Sequence, residues 1–293
     1  MDVTETLLAH EAAIRLAVFV AVLVLMAVLE AALPRRPRSV TRWARWPGNL
    51  GIVVLNTALL RLLLPATAAA VALVVEGQGA GLLPALGLPS WAMIVAAMVL
   101  LDLAVYLQHV LFHAVPGLWR LHRMHHADLD FDVTTGSRFH PVEILLSMAV
   151  KLTVIVAIGA PAAAVVLFEI TLNATSMFNH ANMRLPMALD RILRWIVVTP
   201  DMHRVHHSIR RPETDSNYGF NLPWWDRVFG TYRAQPADGH DGMTIGLPIF
   251  RSVRDSRLDQ LLLQPLRNPS APRDSGAAGF PDGGDARHLR RAG

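Results

Sequence analysis

Residues 90–113, SWAMIVAAMVLLDLAVYLQHVLFH, decide the fold. Positions 90–108 are apolar apart from Ser90, Asp102 and Gln108. At about 1.5 Å per residue they form a helix able to cross most of a ~30 Å hydrocarbon layer. The same run continues without a helix breaker into His109 and His113. Their i, i+4 spacing places both imidazoles on one face of that helix. The expected fold is therefore all-α: an integral membrane helical bundle whose third apolar helix leaves the lipid already carrying two potential metal ligands.

The rest of the chain agrees. Of its 293 residues 53% are hydrophobic and 17% charged, with a mean hydropathy of +0.35. A soluble domain is nearer a quarter charged. Residues 14–33 and 50–75 each read as one crossing. Residues 143–178 are too long for one, and Gly159-Ala160-Pro161 marks a break, so this fourth stretch reads as a helical hairpin. The loop between the first two crossings carries Arg35, Arg36, Arg38, Arg42 and Arg45, whereas residues 76–89 carry only Glu76. The positive-inside rule makes the arginine loop cytoplasmic and the N-terminus external. Counting crossings then puts residues 109–142, and everything from His180 onward, on the cytoplasmic face. A bacterial inner membrane is the expected setting. The first residues, Met-Asp-Val-Thr-Glu, lack the basic start of a cleavable signal.

There is no cysteine and the formal charge is +4. Disulfides and thiolate-bound clusters are excluded. No basic stripe interleaved with aromatics suggests nucleic acid. Arginine-rich segments suit an anionic membrane surface instead. The organisation expected is N-terminal transmembrane helices and loops over 1–89, a catalytic domain over 90–235, a cytoplasmic extension over 236–265, and a tail over 266–293. The tail is small, polar and turn-forming, and is expected to be disordered.

Ten of the thirteen histidines lie between His109 and His207. Six of them form one pattern written twice, His122-Arg-Met-His125-His126 and His203-Arg-Val-His206-His207. Each copy puts three imidazoles within little more than a helical turn. Thr199-Pro200-Asp201 is a sound helix start for the second. A first-row ion takes about four to six ligands, so this supply suits two ions better than one. His180 and His140 are further candidates; His10, His240 and His288 lie outside the cluster. Zinc would want fewer ligands and usually cysteine, and His10-Glu11 fails the His-Glu-x-x-His pattern because residue 14 is Ile. Haem needs one ligand from each of two facing helices, which triples this tight do not offer. Two non-haem iron ions remain as the best fit. Asp102, Glu143, Asn179 and Asp201 are candidates to hold imidazoles from behind. Asp128, Asp130 and Asp132 read as a solvated acidic loop.

The order His-x3-His, His-x2-His-His, Asn-His, His-x2-His-His resembles the fatty acid hydroxylase/sterol desaturase superfamily of membrane di-iron enzymes. Asn217-Tyr218-Gly219 and Trp225-Asp226-Arg227-Val228-Phe229-Gly230-Thr231 resemble its usual ending, so the likeness covers roughly residues 95–233. Arg138-Phe139-His140-Pro141-Val142-Glu143 leans toward alkylglycerol monooxygenase-like members. The resemblance implies a non-haem di-iron centre held by His109, His113, His122, His125, His126, His203, His206 and His207, with His180 and His140 as possible additions. It implies O2-dependent hydroxylation of a lipid (fatty acyl, sterol or ether lipid), with desaturation as the alternative on the same site. It also implies electrons drawn from NAD(P)H through a separate donor, a ferredoxin or b-type cytochrome with its reductase. A metal-binding transporter or a non-catalytic sensor are the alternatives of another class.

Overall fold

The computed structural model describes residues 3–64 and 66–268. Among them all regular structure is helical, with only two isolated bridges, Pro34 with Met183 and Ser208 with Ile245. In chain order the helices are α1 (Val3–Ala9), α2 (Glu11–Ala32), α3 (Arg42–Leu63), α4 (Ala68–Gly77), α5 (Leu82–Ala85), α6 (Ser90–Ala114) and α7 (Pro116–His126). They continue as α8 (Pro141–Ile158), α9 (Ala162–Asn179), α10 (Met187–Leu193), α11 (Pro200–His206) and four short turns: α12 (Arg211–Thr214), α13 (Trp224–Val228), α14 (Gly239–Gly242) and α15 (Leu258–Leu263). Among the described residues, five stretches are long and apolar enough to cross a membrane: Glu11–Ala32, Arg42–Ala85, Ser90–Ala114, Pro141–Ile158 and Ala162–Asn179.

The apolar run expected as one helix over 50–75 is divided. Helix α3 begins earlier, at Arg42, and ends at Leu63, with Leu64 extended at φ −118°, ψ 97°. The next residue, Pro65, has no N–H to donate and disfavours the helical conformation in the residue before it. Thr67 then starts α4 by accepting from Ala70 N at 3.1 Å. The hairpin forms as its sequence suggests. Pro141 opens α8, Gly159 closes it in the left-handed region at φ 65°, and α9 starts after Pro161. Gly81 packs against that bend so closely that a methyl group on it would lie 2.3 Å from Gly159 N.

Between membrane helices no hydrophobic force favours contact, so close packing of small side chains does the holding. Ala68, Ala72, Ala97, Ala160, Ala162 and Ala164 are buried with Leu101 and Phe168 where α4, α6, α8 and α9 meet. Helix α2 leaves Leu16, Val20, Val24 and Val28 exposed as a stripe of helical period, the face expected toward lipid.

The histidine-bearing elements are fastened to this bundle by buried charge. Arg45 on α3 donates Nε and Nη2 to Asp128 at 2.6 and 2.7 Å and Nη1 to Asp132 at 2.7 Å. Both carboxylates are buried, and Asp130 accepts from Ser39 N and Val40 N. The solvated-loop reading of Asp128–Asp132 is thus corrected: a fully buried guanidinium on a distant helix folds the loop inward. Burial alone would raise the Asp128 carboxyl, but Arg45 and Arg138 beside it hold it well below the usual carboxylate range. Glu30, near the end of α2, accepts from Val133 N at 2.7 Å and Asn182 N at 2.9 Å. The loops before α8 and after α9 are therefore pinned by residues outside the histidine-rich segment.

Of the expected tail, residues 269–293 lie outside the described residues. Its beginning is packed: Arg267 pairs with Asp255 at 2.9 Å and stacks on Phe250.

Candidate metal centre

Nine buried histidines converge where α6, α7 and α11 meet the end of α9. They form two sets, His109, His113, His122, His126 and His206, then His125, His180, His203 and His207, and within each set the potential ligand nitrogens lie within 4.8 Å of one another. An ion about 2.1 Å from each imidazole would place opposite nitrogens about 4.2 Å apart, so each set has the size of a coordination sphere. Each sequence triple is divided between the two sets. In α7 the i, i+4 pair His122 and His126 belongs to the first set and His125 to the second. In the α11 triple the i, i+4 pair His203 and His207 belongs to the second set and His206 to the first. The sets touch, with the His126 and His207 rings stacked at 4.5 Å.

The ring orientations are fixed from outside. His109 Nδ1 donates to Tyr218 O at 2.7 Å, His206 Nδ1 to Ser216 O at 2.7 Å, and His180 Nδ1 to Ser176 O at 2.7 Å and Asn179 Oδ1 at 2.6 Å. His122 Nδ1 meets Glu143 Oε1 at 2.6 Å, and His113 Nδ1 meets Asp215 Oδ1 at 3.2 Å. A carbonyl or carboxylate only accepts, so each of these rings carries its proton on Nδ1 and leaves Nε2 as a lone pair. His109 Nε2 and His122 Nε2 then face each other at 3.1 Å. Two lone pairs at that distance repel unless a cation lies beside both. The Nε2 atoms of His113, His126, His203 and His206 are likewise buried without a partner, a condition that native structures normally avoid. The donor set fits metal ions. Burial, reinforced by neighbouring imidazoles, pushes His125, His126, His203 and His207 well below their usual range. Burial does the same to His206 and carries His180 to about 3. Neutral imidazole is the form that binds metal.

Of the expected residues, the structure brings together His109, His113, His122, His125, His126, His180, His203, His206 and His207, with Glu143 and Asn179 behind two of them. His140 stands apart. Its Nδ1 accepts from Val142 N at 3.2 Å, capping α8, and its Nε2 reaches Leu262 O at 3.3 Å, so neither nitrogen is left for a metal. Asp102 does not reach an imidazole; it accepts from Trp225 Nε1 at 2.8 Å and Leu222 N at 3.2 Å, docking residues 222–225 on α6. Asp201 pairs with Arg204 and Arg35 rather than with a ring of the cluster. Both were placed near histidines by sequence distance alone, and packing turned them elsewhere.

The sequence reading missed Asp215 and the carbonyls of Ser176, Ser216 and Tyr218. No side-chain signature marks a carbonyl. The closing segment gave an indirect sign: Asp226 accepts from Tyr218 N at 2.8 Å and Gly219 N at 2.9 Å. Asn217, left-handed at φ 52°, donates Nδ2 to Met202 O and Arg233 O. These bonds shape the loop that offers Ser216 O and Tyr218 O to the histidines.

A cavity of about 300 Å³ opens beside the first set, lined there by His109, His122, Phe139, Glu143 and Phe220 and farther off by Leu101, Met148, Phe168 and Leu172.

Residues 94–231 match the family model described as fatty acid hydroxylase. The chain is 31% identical over 144 residues to ornithine lipid hydroxylase OlsE of Rhizobium tropici, covering 49% of this chain and 42% of that protein. It is 28% identical over 158 residues to alkylglycerol monooxygenase of Homo sapiens (52% and 33% of the two chains) and 30% identical over 136 residues to that of Xenopus tropicalis (45% and 28%). The chain thus spans less than half the length of these curated relatives. No solved structure matches it significantly. All nine clustered histidines lie inside the segment that matches the fatty acid hydroxylase family model.

Proposed function

We propose that this protein is a membrane-bound di-iron oxygenase that hydroxylates a C–H bond of a lipid, using O2 and electrons from a separate donor. One observation carries the reading: two adjoining sets of buried imidazoles, with His109 Nε2 facing His122 Nε2 at 3.1 Å, border a largely apolar cavity. The names of the relatives, a lipid hydroxylase and alkylglycerol monooxygenases, supply the lipid and the reaction class. Bound in this site, a pair of iron ions supplies the redox chemistry that O2-dependent attack on an unactivated C–H bond requires.

The protein's own residues do the rest. Glu143, Asp215, Asn179 and the three carbonyls hold the imidazoles in one tautomer and orientation. Phe112, Phe139 and Phe220 line the cavity beside His109 and His122, keeping bulk water from the place where substrate carbon would lie. The separate electron donor follows from the family likeness. The arginine-rich loop beside the histidine elements supports a cytoplasmic location for the site.

Whole-protein metal analysis and isotope labelling test the reading. Two irons per chain are expected, and one labelled oxygen atom should pass from O2 into a lipid alcohol when a reductase system is supplied. A lipid product that gains a double bond and carries no label would replace hydroxylation with desaturation. A protein that holds iron but consumes no O2 with any lipid would end the oxygenase reading.

A further inference from the structure

The cavity has a second, charged end. Away from the histidines its lining reaches Arg15 on α2, Lys151 on α8 and Glu169 on α9. Lys151 Nζ lies 2.5 Å from Glu169 Oε1 and Arg15 Nη1 lies 2.7 Å from Glu169 Oε2. Lys151 and Glu169 each stand seven residues, about 10 Å, from the nearer end of their helix, well inside segments able to cross a membrane. Ionisable groups at such depth are costly and mark function.

At this end of the cavity the lining cations outnumber the lining carboxylates. Arg15 and Lys151 share Glu169, while the other lining carboxylate, Glu143, stands at the histidine end and Glu11, which also pairs with Arg15 at 2.8 Å, lies outside the lining. A clasp between α8 and α9 needs only Lys151 and Glu169, yet Arg15 comes from α2 to the same carboxylate. Glu169 is buried, whereas the Arg15 and Lys151 side chains remain 34% and 17% exposed. Neutral donors and acceptors stand nearby, Gln108 bonded to Ser147 at 2.7 Å and Asn173 one turn beyond Glu169.

The geometry points to a subsite for the anionic group of the lipid, a carboxylate or a phosphate, bound by Arg15 and Lys151. Along α8, Glu143 at the histidine end and Lys151 at the charged end are eight residues, about 12 Å, apart. At roughly 1.5 Å per carbon–carbon bond, the carbon beside His109 and His122 lies about eight to ten bonds from the anchored anion. The placement of the oxidised carbon rests on the hydroxylase reading; anion binding does not.

The test is equilibrium binding in uncharged detergent micelles, with hexadecanoate, hexadecyl phosphate and hexadecanol as probes. The two anions distinguish a carboxylate from a phosphate source. The native protein should bind at least one of them ten-fold or more tighter than the alcohol. Lys151→Gln and Arg15→Gln should each bring that ratio toward one, and Glu169→Gln, which removes the competing carboxylate, should raise it. Unchanged metal content reports an intact fold, and any variant that fails this check is judged by the other two. Equal binding of acid, phosphate and alcohol by the native protein would overturn the subsite, as would a folded Lys151→Gln and Arg15→Gln that keep the preference. Selective binding without oxygen transfer to any lipid would count against the hydroxylase alone, and oxygen transfer without selectivity against the subsite alone.

Discussion

Replacing Glu143 tests how the site is held. Its Oε1 lies 2.6 Å from His122 Nδ1, and both side chains are buried. The carboxylate fixes the Nδ1–H tautomer and so leaves His122 Nε2 directed at His109 Nε2. Removing a group that orients a ligand in this way costs about 10- to 100-fold in metal affinity, or roughly 1.4 to 2.8 kcal/mol. Glu143→Gln keeps an acceptor of the same shape but loses the charge, and is expected near the ten-fold end. Glu143→Leu leaves the Nδ1–H buried with no acceptor, which adds about 1–3 kcal/mol, so its loss should reach or exceed 100-fold. Iron retained against a graded series of chelator concentrations gives the order native, Gln, Leu directly. If both variants hold iron as the native protein does, the carboxylate does not orient the ring. If Gln and Leu lose it equally, charge alone acts and the hydrogen-bond argument fails.

His125→Ala and His206→Ala each take one ligand from a different set, so each should lose iron and turnover while the chain still inserts; a variant with full iron and activity removes that residue from the site. Arg45→Met leaves Asp132 buried without its cation and Asp128 with Arg138 alone, a loss of about 3–5 kcal/mol. Adding Asp128→Asn should recover part of it, and a thermal midpoint unmoved by Arg45→Met would contradict the anchoring role. Acid should destabilise the metal-stripped protein: His180 protonates near 3 when folded but near 6.5 when unfolded. Below about 6.5 the unfolded chain therefore binds the extra proton, and stability falls with pH through that window; a midpoint independent of pH between 7 and 4 would refute this. Because the chain has no cysteine, single cysteines at the exposed positions Gln78 and Arg254 report topology. An impermeant reagent should reach them from opposite sides of the membrane, and labelling from one side only would break the assignment of faces.

Buried carboxylate contacts between segments far apart in sequence decide much of this architecture. Arg45 and Asp128 are 83 residues apart, and Glu30 and Asn182 are 152 apart. Both links run from the N-terminal helices, outside the family-matched segment, to the loops around the histidines. That segment is positioned as much by its neighbours as by its own sequence.

Local spacing alone made the helices, the hairpin break at Gly159–Pro161 and the gathering of His109, His113 and the two triples legible. Helix geometry repeats every 3.6 residues, and lipid demands a minimum apolar length, so both signals survive without tertiary context. The partition of each triple between two sets was not legible, because it depends on the angles at which α6, α7 and α11 meet. The same limit applies to single side chains. His140, Asp102 and Asp201 sit at suggestive intervals, yet Val142 N, Trp225 and Arg204 claim them. Asp128 and Asp132 look solvated until Arg45 arrives from a distant helix. Spacing fixes which face of a helix a residue occupies, while packing alone determines what that face meets.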